Sequence, residues 1–119
     1  MSIFGIGTDL VNVSRIQDIV ERDHDYAFRK RVFSQDEIAY CEQSRAKFQR
    51  YAARFAAKEA IFKAFGDKPY LEWKSIRILK DDNGKPFCQY DNSDFNGEIM
   101  ISLSHTHNYA VASAIITEE

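Results

Sequence analysis

The 119-residue chain has two cysteines, two prolines, five glycines, one tryptophan and no long apolar run. Cys41 and Cys88 stand 47 positions apart, so they form no Cys-x-x-Cys metal or redox pair, and two cysteines are too few for a disulfide framework. The most apolar stretch, near Ala110–Ile116, falls far short of the roughly 20 residues that span a bilayer. The N-terminus shows no basic-then-apolar signal pattern, so the expectation is a cytoplasmic protein outside any membrane. No repeat, low-complexity tract or linker interrupts the sequence, and residues 1–119 are expected to form one domain. A net charge of -2, with no interleaving of basic and aromatic residues, argues against a nucleic-acid partner.

The charge that is present is uneven. Between Ser14 and Phe65 there are 11 Lys and Arg against 8 Asp and Glu, whereas the remainder holds 5 against 10. An anionic partner or a phosphate therefore belongs with the first half. A chain of this length buries roughly 65% of the surface its unfolded form exposes, enough for a core but not for a deep private cleft as well. A sizeable ligand site should be shallow or shared with another subunit.

Periodicity places the elements. Ser2–Val11 reads as a strand with Gly5 and Gly7 on one face, a bare backbone open to close approach by another backbone or by a ligand. Ser14-Arg15-Ile16-Gln17 fits a capping box for a helix over about Arg15–Glu21, and Ser34-Gln35-Asp36-Glu37 fits one for a helix through about Gln43. A long helix is predicted from Lys47 to Phe65, stopping at Gly66 with Pro69 beyond it. The rest is β-rich: Ser75–Lys80, a turn at Asp82-Asn83-Gly84, Pro86–Tyr90, a turn at Asn96-Gly97, Glu98–Ser104 and Tyr109–Thr117. Helices grouped before strands indicate an α+β layer that the N-terminal strand joins.

On a helical wheel, Phe48, Ala52, Phe55 and Phe62 form one stripe, and Glu59 falls inside it. A carboxylate among aromatics needs a cation, a metal or a hydrogen-bond donor, and Lys63 at i+4 is one candidate for an internal ion pair. Asp9 ends an apolar strand; alone it reads as a turn or capping residue. If that strand lies against the long helix, Asp9 and Glu59 together suit Mg²⁺, which takes a few protein oxygens and keeps several waters. Lys58, Lys63 and Arg54 read either as a solvated helix face or as a phosphate clamp. Gly5–Asp9 is not a phosphate loop, because the Gly-Lys-Ser/Thr ending is absent.

His105 and His107 have no neighbouring third ligand for zinc, and no G-x-S-x-G elbow supports a serine hydrolase. The strand end Ser104-His105-Thr106 suits a phosphate or ribose oxygen better. Arg15 and Arg22 project from one side of the first predicted helix with Asp18 between them, as a surface ion-pair lace or as a docking face for an acidic partner.

In order, Gly5-Ile6-Gly7-Thr8-Asp9, Arg15-Ile16, Phe33-Ser34-Gln35-Asp36-Glu37, Arg54 through Gly66, Gly84-Lys85-Pro86, Ser102-Leu103-Ser104-His105-Thr106 and Tyr109-Ala110-Val111-Ala112 closely resemble the holo-acyl-carrier-protein synthases. These are the short 4′-phosphopantetheinyl transferases. The resemblance spans nearly the whole chain, and the Lys-Glu-Ala-x-x-Lys-Ala core with the Ser-x-Ser-His end is its specific part. It implies an antiparallel sheet with a long packed helix, one half-unit per chain. It also implies transfer of phosphopantetheine from coenzyme A to a serine of apo acyl carrier protein, in fatty acid biosynthesis.

By the same resemblance, Asp9 and Glu59 match Mg²⁺ ligands and Lys63 a phosphate contact; the chemistry then asks Glu59, directly or through a metal-bound water, to remove the serine proton. Ser104, His105 and Thr106, with Arg54, Gly66, Lys85 and Pro86, match the coenzyme A pocket. Arg15 and Arg22 match the surface for the acidic carrier. Coenzyme A should then lie between neighbouring subunits of a homotrimer, with Ser104–Thr106 reaching a neighbour's Asp9 and Glu59. Two other classes use the same residues: a Mg²⁺-dependent phosphodiester hydrolase built on Asp9, Glu59 and Lys63, and a non-catalytic module that binds a carrier through its basic helix. The first is weakened by the last acid and lysine standing four apart on a helix.

Overall fold

The computed structural model describes residues 2–66, 71–92 and 94–118. Strand β1 (Ser2–Asn12) leads into α1 (Val13–Glu21), a 3-10 turn (His24–Tyr26), α2 (Ala27–Val32), α3 (Gln35–Glu42) and the long α4 (Lys47–Phe65). A second 3-10 turn (Trp73–Ser75) opens the β-rich part: β2 (Ile76–Lys80), β3 (Pro86–Tyr90), β4 (Gly97–His105) and β5 (Tyr109–Glu118). The α+β class and the N-terminal strand's place in the sheet are as expected. The expected single sheet is two: β1-β5-β4, antiparallel throughout, and a separate antiparallel β2-β3 pair. Phe95 packs against Phe65 and Tyr90 and lines a gap between β3 and β4, where no ladder forms among the described residues.

The glycine face of β1 receives the backbone of α4. A β-carbon on Gly5 would run into the carbonyl oxygen of Ala64, and one on Gly7 into that of Ala60. The side of α4 that lies on the sheet is correspondingly small, with Ala53, Ala56, Ala57, Ala60 and Ala64 all buried. The rings of the aromatic stripe are only half-buried: Phe48, Phe55 and Phe62 lie at the margin of the core, where Trp73 stacks on Phe55 and meets Phe62 edge-on. Alanine wins the sheet-facing side because close helix-to-strand approach leaves no room for a ring.

The caps divide the same way. Ser34 and Glu37 form the expected capping box of α3. Helix α1 instead begins at Val13, capped by Asn12, whose Oδ1 accepts from the Ser14 amide at 3.0 Å. Asn12 reaches that amide before Ser14 can act as a cap. Helix α4 ends at Gly66, with φ +73°. Pro69 lies outside the described residues. No described helix is long and apolar enough to cross a membrane.

One face of the three-stranded sheet packs on α4 and the other is uncovered. Ile6, Ile115 and Met100 stand opposite one another across β1, β5 and β4 on the open face. Ile3, Ile6 and Leu10 are 71%, 69% and 66% exposed. A contiguous apolar face of this kind marks an interaction surface.

Candidate active site

At the C-terminal half of α4, Asp9 and Glu59 come together because β1 lies along the helix. Lys63 donates to Asp9 Oδ1 at 2.9 Å and to the Thr8 carbonyl at 3.1 Å. The i+4 pair of Lys63 with Glu59 does not form; the lysine leans to the strand. Burial, and then the charge of Asp9, raise the Glu59 carboxyl above its ordinary range, while Lys63 and Arg15 pull part of the shift back. Two hard-oxygen donors that repel each other fit a small divalent cation. Among the described residues no group of three or more His, Cys, Asp or Glu could hold a metal, so such an ion would have two carboxylates from this chain.

A second cluster lines a cleft of about 360 Å³ between α3, the first half of α4, the β2–β3 turn and the end of β4. Tyr40 stands among three cations, with the Arg50 and Arg54 guanidinium carbons 3.9 and 4.1 Å and Lys80 Nζ 5.1 Å from its ring centre. Burial opposes its ionisation, yet Lys80, Arg54 and Arg50 together hold the phenol below its ordinary range. Arg54 is only 4% exposed, and its Nε has no hydrogen-bond partner among the described residues. A buried guanidinium with an orphaned donor beside two more cations is chemically incomplete without an anion.

The expected site residues divide between these places. Arg54, Pro86 and His105 line the cleft; Lys85 stays in the turn beside it, its amide held by Asp81 Oδ1 at 2.8 Å. His105 also borders a shallow apolar patch with Leu10, Ser104, Thr106 and Tyr109 on the open sheet face. Thr106 Oγ1 accepts from the Asn108 and Tyr109 amides, which leaves its proton free to donate. Gly66 belongs to the Glu59 end, seven residues on and about 20° away around the helix. Arg15 and Arg22 are exposed, and the lace with Asp18 does not form. Lys58 leaves the clamp altogether: it is fully buried and paired with Glu37 at 2.8 Å. Tyr40, Arg50 and Lys80 were missed; the i, i+4 spacing of Arg50 and Arg54 was the available signal.

The two clusters oppose each other across α4. Nine residues separate Arg54 from Lys63, which at 100° each puts them about 180° apart. Paired carboxylates on one side of the helix and a cationic cleft on the other are the donor and cation sets that a protein of phosphate-group transfer uses. The profile of the 4′-phosphopantetheinyl transferase superfamily matches residues 5–114. The chain belongs to this superfamily and, within it, to the holo-acyl-carrier-protein synthases.

It is 44% identical to the holo-acyl-carrier-protein synthase of Ruminiclostridium cellulolyticum, over 94% of this chain and 90% of the relative. It is 42% identical to that of Chloroherpeton thalassium, over 93% and 95%. The crystal structure of the Bacillus anthracis synthase in complex with coenzyme A (3′,5′-ADP) superposes with a TM-score of 0.87 at 27% identity, covering 100% of both chains. That of the Helicobacter pylori synthase in complex with coenzyme A gives 0.80 at 28%, over 94% and 99%.

Proposed function

We propose that this protein transfers the 4′-phosphopantetheine group of coenzyme A to a serine of apo acyl carrier protein in fatty acid biosynthesis, releasing adenosine 3′,5′-bisphosphate. The reaction takes place in the cytoplasm. The observation that carries this reading is the buried, incompletely bonded Arg54 in a cationic cleft, with a base of raised pKa on the other side of the same helix.

The nucleotide phosphates of coenzyme A bind Arg50, Arg54 and Lys80 in the cleft, beside Pro86 and His105. Thr106 donates its hydroxyl to a ligand oxygen, Ser104 borders the same edge, and the Lys85 ammonium and the Gly66 backbone flank the phosphates. Lys63 leaves Asp9 to hold the pyrophosphate, a short movement for a side chain 53% exposed. Glu59 takes the proton of the carrier serine as its oxygen forms the new bond to phosphorus and the bond to the bisphosphate breaks. Asp9 and Glu59 would hold Mg²⁺, which when bound would neutralise charge on the pyrophosphate. Arg15, near Glu59, and Arg22 present a basic surface to the acidic carrier, so the serine arrives beside its base.

The two sides of α4 lie apart on one chain, which supports a site shared between copies, and the resemblance to the short transferases makes that assembly a homotrimer in which the cleft of one copy meets Asp9, Glu59 and Lys63 of the next. The uncovered face carrying Ile3, Ile6 and Leu10 supports this assembly, and its border at Ser104–Thr106 adjoins the cleft.

Incubation with apo carrier, coenzyme A and Mg²⁺, followed by mass spectrometry, tests the function. The expected outcome is a carrier heavier by one phosphopantetheine group, lost when Mg²⁺ is chelated. Cleavage of coenzyme A without that gain identifies a hydrolase, and complex formation without either change identifies a binding module. A monomer fully active at nanomolar dilution removes the shared site.

A further inference from the structure

Glu37 and Lys58 are fully buried, and neither touches the clusters where the chemistry is expected. Every polar atom of the pair is used. Lys58 Nζ donates to Glu37 Oε1, to the Val32 carbonyl and to the Trp73 carbonyl, each at 2.8 Å. Glu37 Oε1 also accepts from the Ser34 amide at 2.8 Å, and its Oε2 from the Ile78 amide at 2.9 Å. One ion pair thus joins the end of α2, the start of α3, the middle of α4, the turn before β2 and the middle of β2.

The β2–β3 hairpin gives this junction its meaning. The hairpin supplies Lys80, Gly84 and Pro86 to the cationic cleft, whereas α3 and α4 supply Tyr40, Arg50 and Arg54. No ladder among the described residues ties the hairpin to the three-stranded sheet. Ile76 and Ile78 bury their side chains against the core, but apolar contact has no direction and tolerates sliding. The buried pair ties Ile78 in the hairpin and Trp73 just before it to the helices, and these are the buried directional ties; Arg77 to Asp36 at 3.4 Å and Lys80 to Tyr40 tie the hairpin nearer the solvent, where water competes for the bond. A buried ion pair is often no more stabilising than an apolar replacement of equal volume, so its distinctive contribution is geometry.

We infer that Lys58 and Glu37 are positioning residues for coenzyme A binding: they hold the β2–β3 hairpin in the register that closes the nucleotide cleft against Arg50 and Arg54. The inference rests on the functional reading above. It gives Lys58, adjacent in sequence to Glu59 but pointing into the interior, a task separate from the carboxylate side of the helix.

The test compares wild-type protein with Lys58→Met/Glu37→Leu, which removes both charges at similar volume, and with Glu37→Gln. Binding of adenosine 3′,5′-bisphosphate is measured by calorimetry, alongside KM for coenzyme A, KM for the carrier and the melting temperature. The double variant is expected to melt close to wild type, yet to bind the nucleotide at least about tenfold more weakly, since misplacement by about 1 Å is enough for such losses. Its KM for coenzyme A should rise in parallel, and its KM for the carrier should stay within about twofold. A purely structural role predicts that nucleotide affinity returns with the melting temperature.

Wild-type affinity in either folded variant overturns the inference; Glu37→Gln, the smaller change, provides this measurement even if the double variant does not fold. Wild-type protein that binds no nucleotide overturns the functional reading of the cleft and the inference with it. Binding by the wild type and by the variants alike overturns the inference alone.

Discussion

Lys58 and Lys63 lie five residues apart on α4, and each pairs with one carboxylate, at 2.8 Å to Glu37 and 2.9 Å to Asp9. Lys58 is sealed from water with three acceptors around it; Lys63 is half in solvent and holds an acid expected to bind a metal. Near-equal distances therefore describe different kinds of interaction. Removing one partner of the sealed pair strands a charge in the interior, whereas water replaces a partner of the open pair at little cost. A pair that can open is what a site that must admit phosphate requires.

The largest effect expected from disturbing this contrast is on the open side. Glu59→Gln should lower transfer about a thousandfold, the scale of losing a general base, while the protein stays folded. Near-normal turnover would remove Glu59 from its role. The same substitution should raise the melting temperature of metal-free protein at neutral pH. The Glu59 carboxyl sits above its usual range because of burial and Asp9, so the folded state favours its protonated form. That contribution is present at low pH and is lost as pH rises through the raised value. The thermal gain of Glu59→Gln should accordingly shrink as pH falls and be lost below the ordinary carboxylate range, where the glutamate is protonated in the folded and unfolded wild type alike.

Next comes a matched pair of substitutions on the two lysines. Lys58→Met leaves Glu37 buried without its cation and should cost about 3–5 kcal/mol in urea unfolding. Lys63→Met should cost under about 1 kcal/mol, yet slow transfer by about tenfold to a hundredfold through loss of a charged phosphate contact. Equal stability losses would erase the distinction drawn between the two pairs. The smallest effect is expected at the docking surface: Arg15→Glu should raise KM for the carrier about tenfold at low ionic strength, fading as salt shortens the Debye length. An effect independent of salt would place Arg15 in the chemistry near Glu59 instead.

Elements whose cause is local could be read from the chain. Ser34 and Glu37 satisfy each other's amides over one turn, and Gly66 stops α4 because glycine adopts a positive φ freely. Strand β4 was legible because Ile99, Ile101 and Leu103 recur at every second position, and β5 because Ala110–Ile116 is a short apolar run that follows a turn. The segment between α1 and α3 was not: α2 is six residues long, and it follows Asp25 and Tyr26 in left-handed conformations that no glycine announces. Asp23 compensates by accepting from the Phe28 and Arg29 amides and from the Arg29 side chain, bonds five and six residues along the chain that follow neither the helix nor the strand period.

The site was legible in part for the same reason. Asp9, Glu59 and Lys63 are marked by polar chemistry set in apolar runs, and the bare Gly5–Gly7 face left two readings open until α4 filled it. A helical wheel treats all cations on α4 alike, so Lys58 looked equivalent to Lys63. Only the packing of α2, α3 and β2 around one and of β1 beside the other separates them.

The resemblance of motifs spread along the chain was enough for the family, and residue type and short-range spacing were enough for the α+β class and the long helix, since those elements depend on chemistry within a few positions of one another. Which lysine is buried, which side of α4 meets the sheet and how far the carboxylates stand from the cationic cleft were decided by tertiary packing. The physical reason is that burial is a property of what lies opposite a side chain, and the residues opposite Lys58 come from positions 15 to 26 apart in sequence.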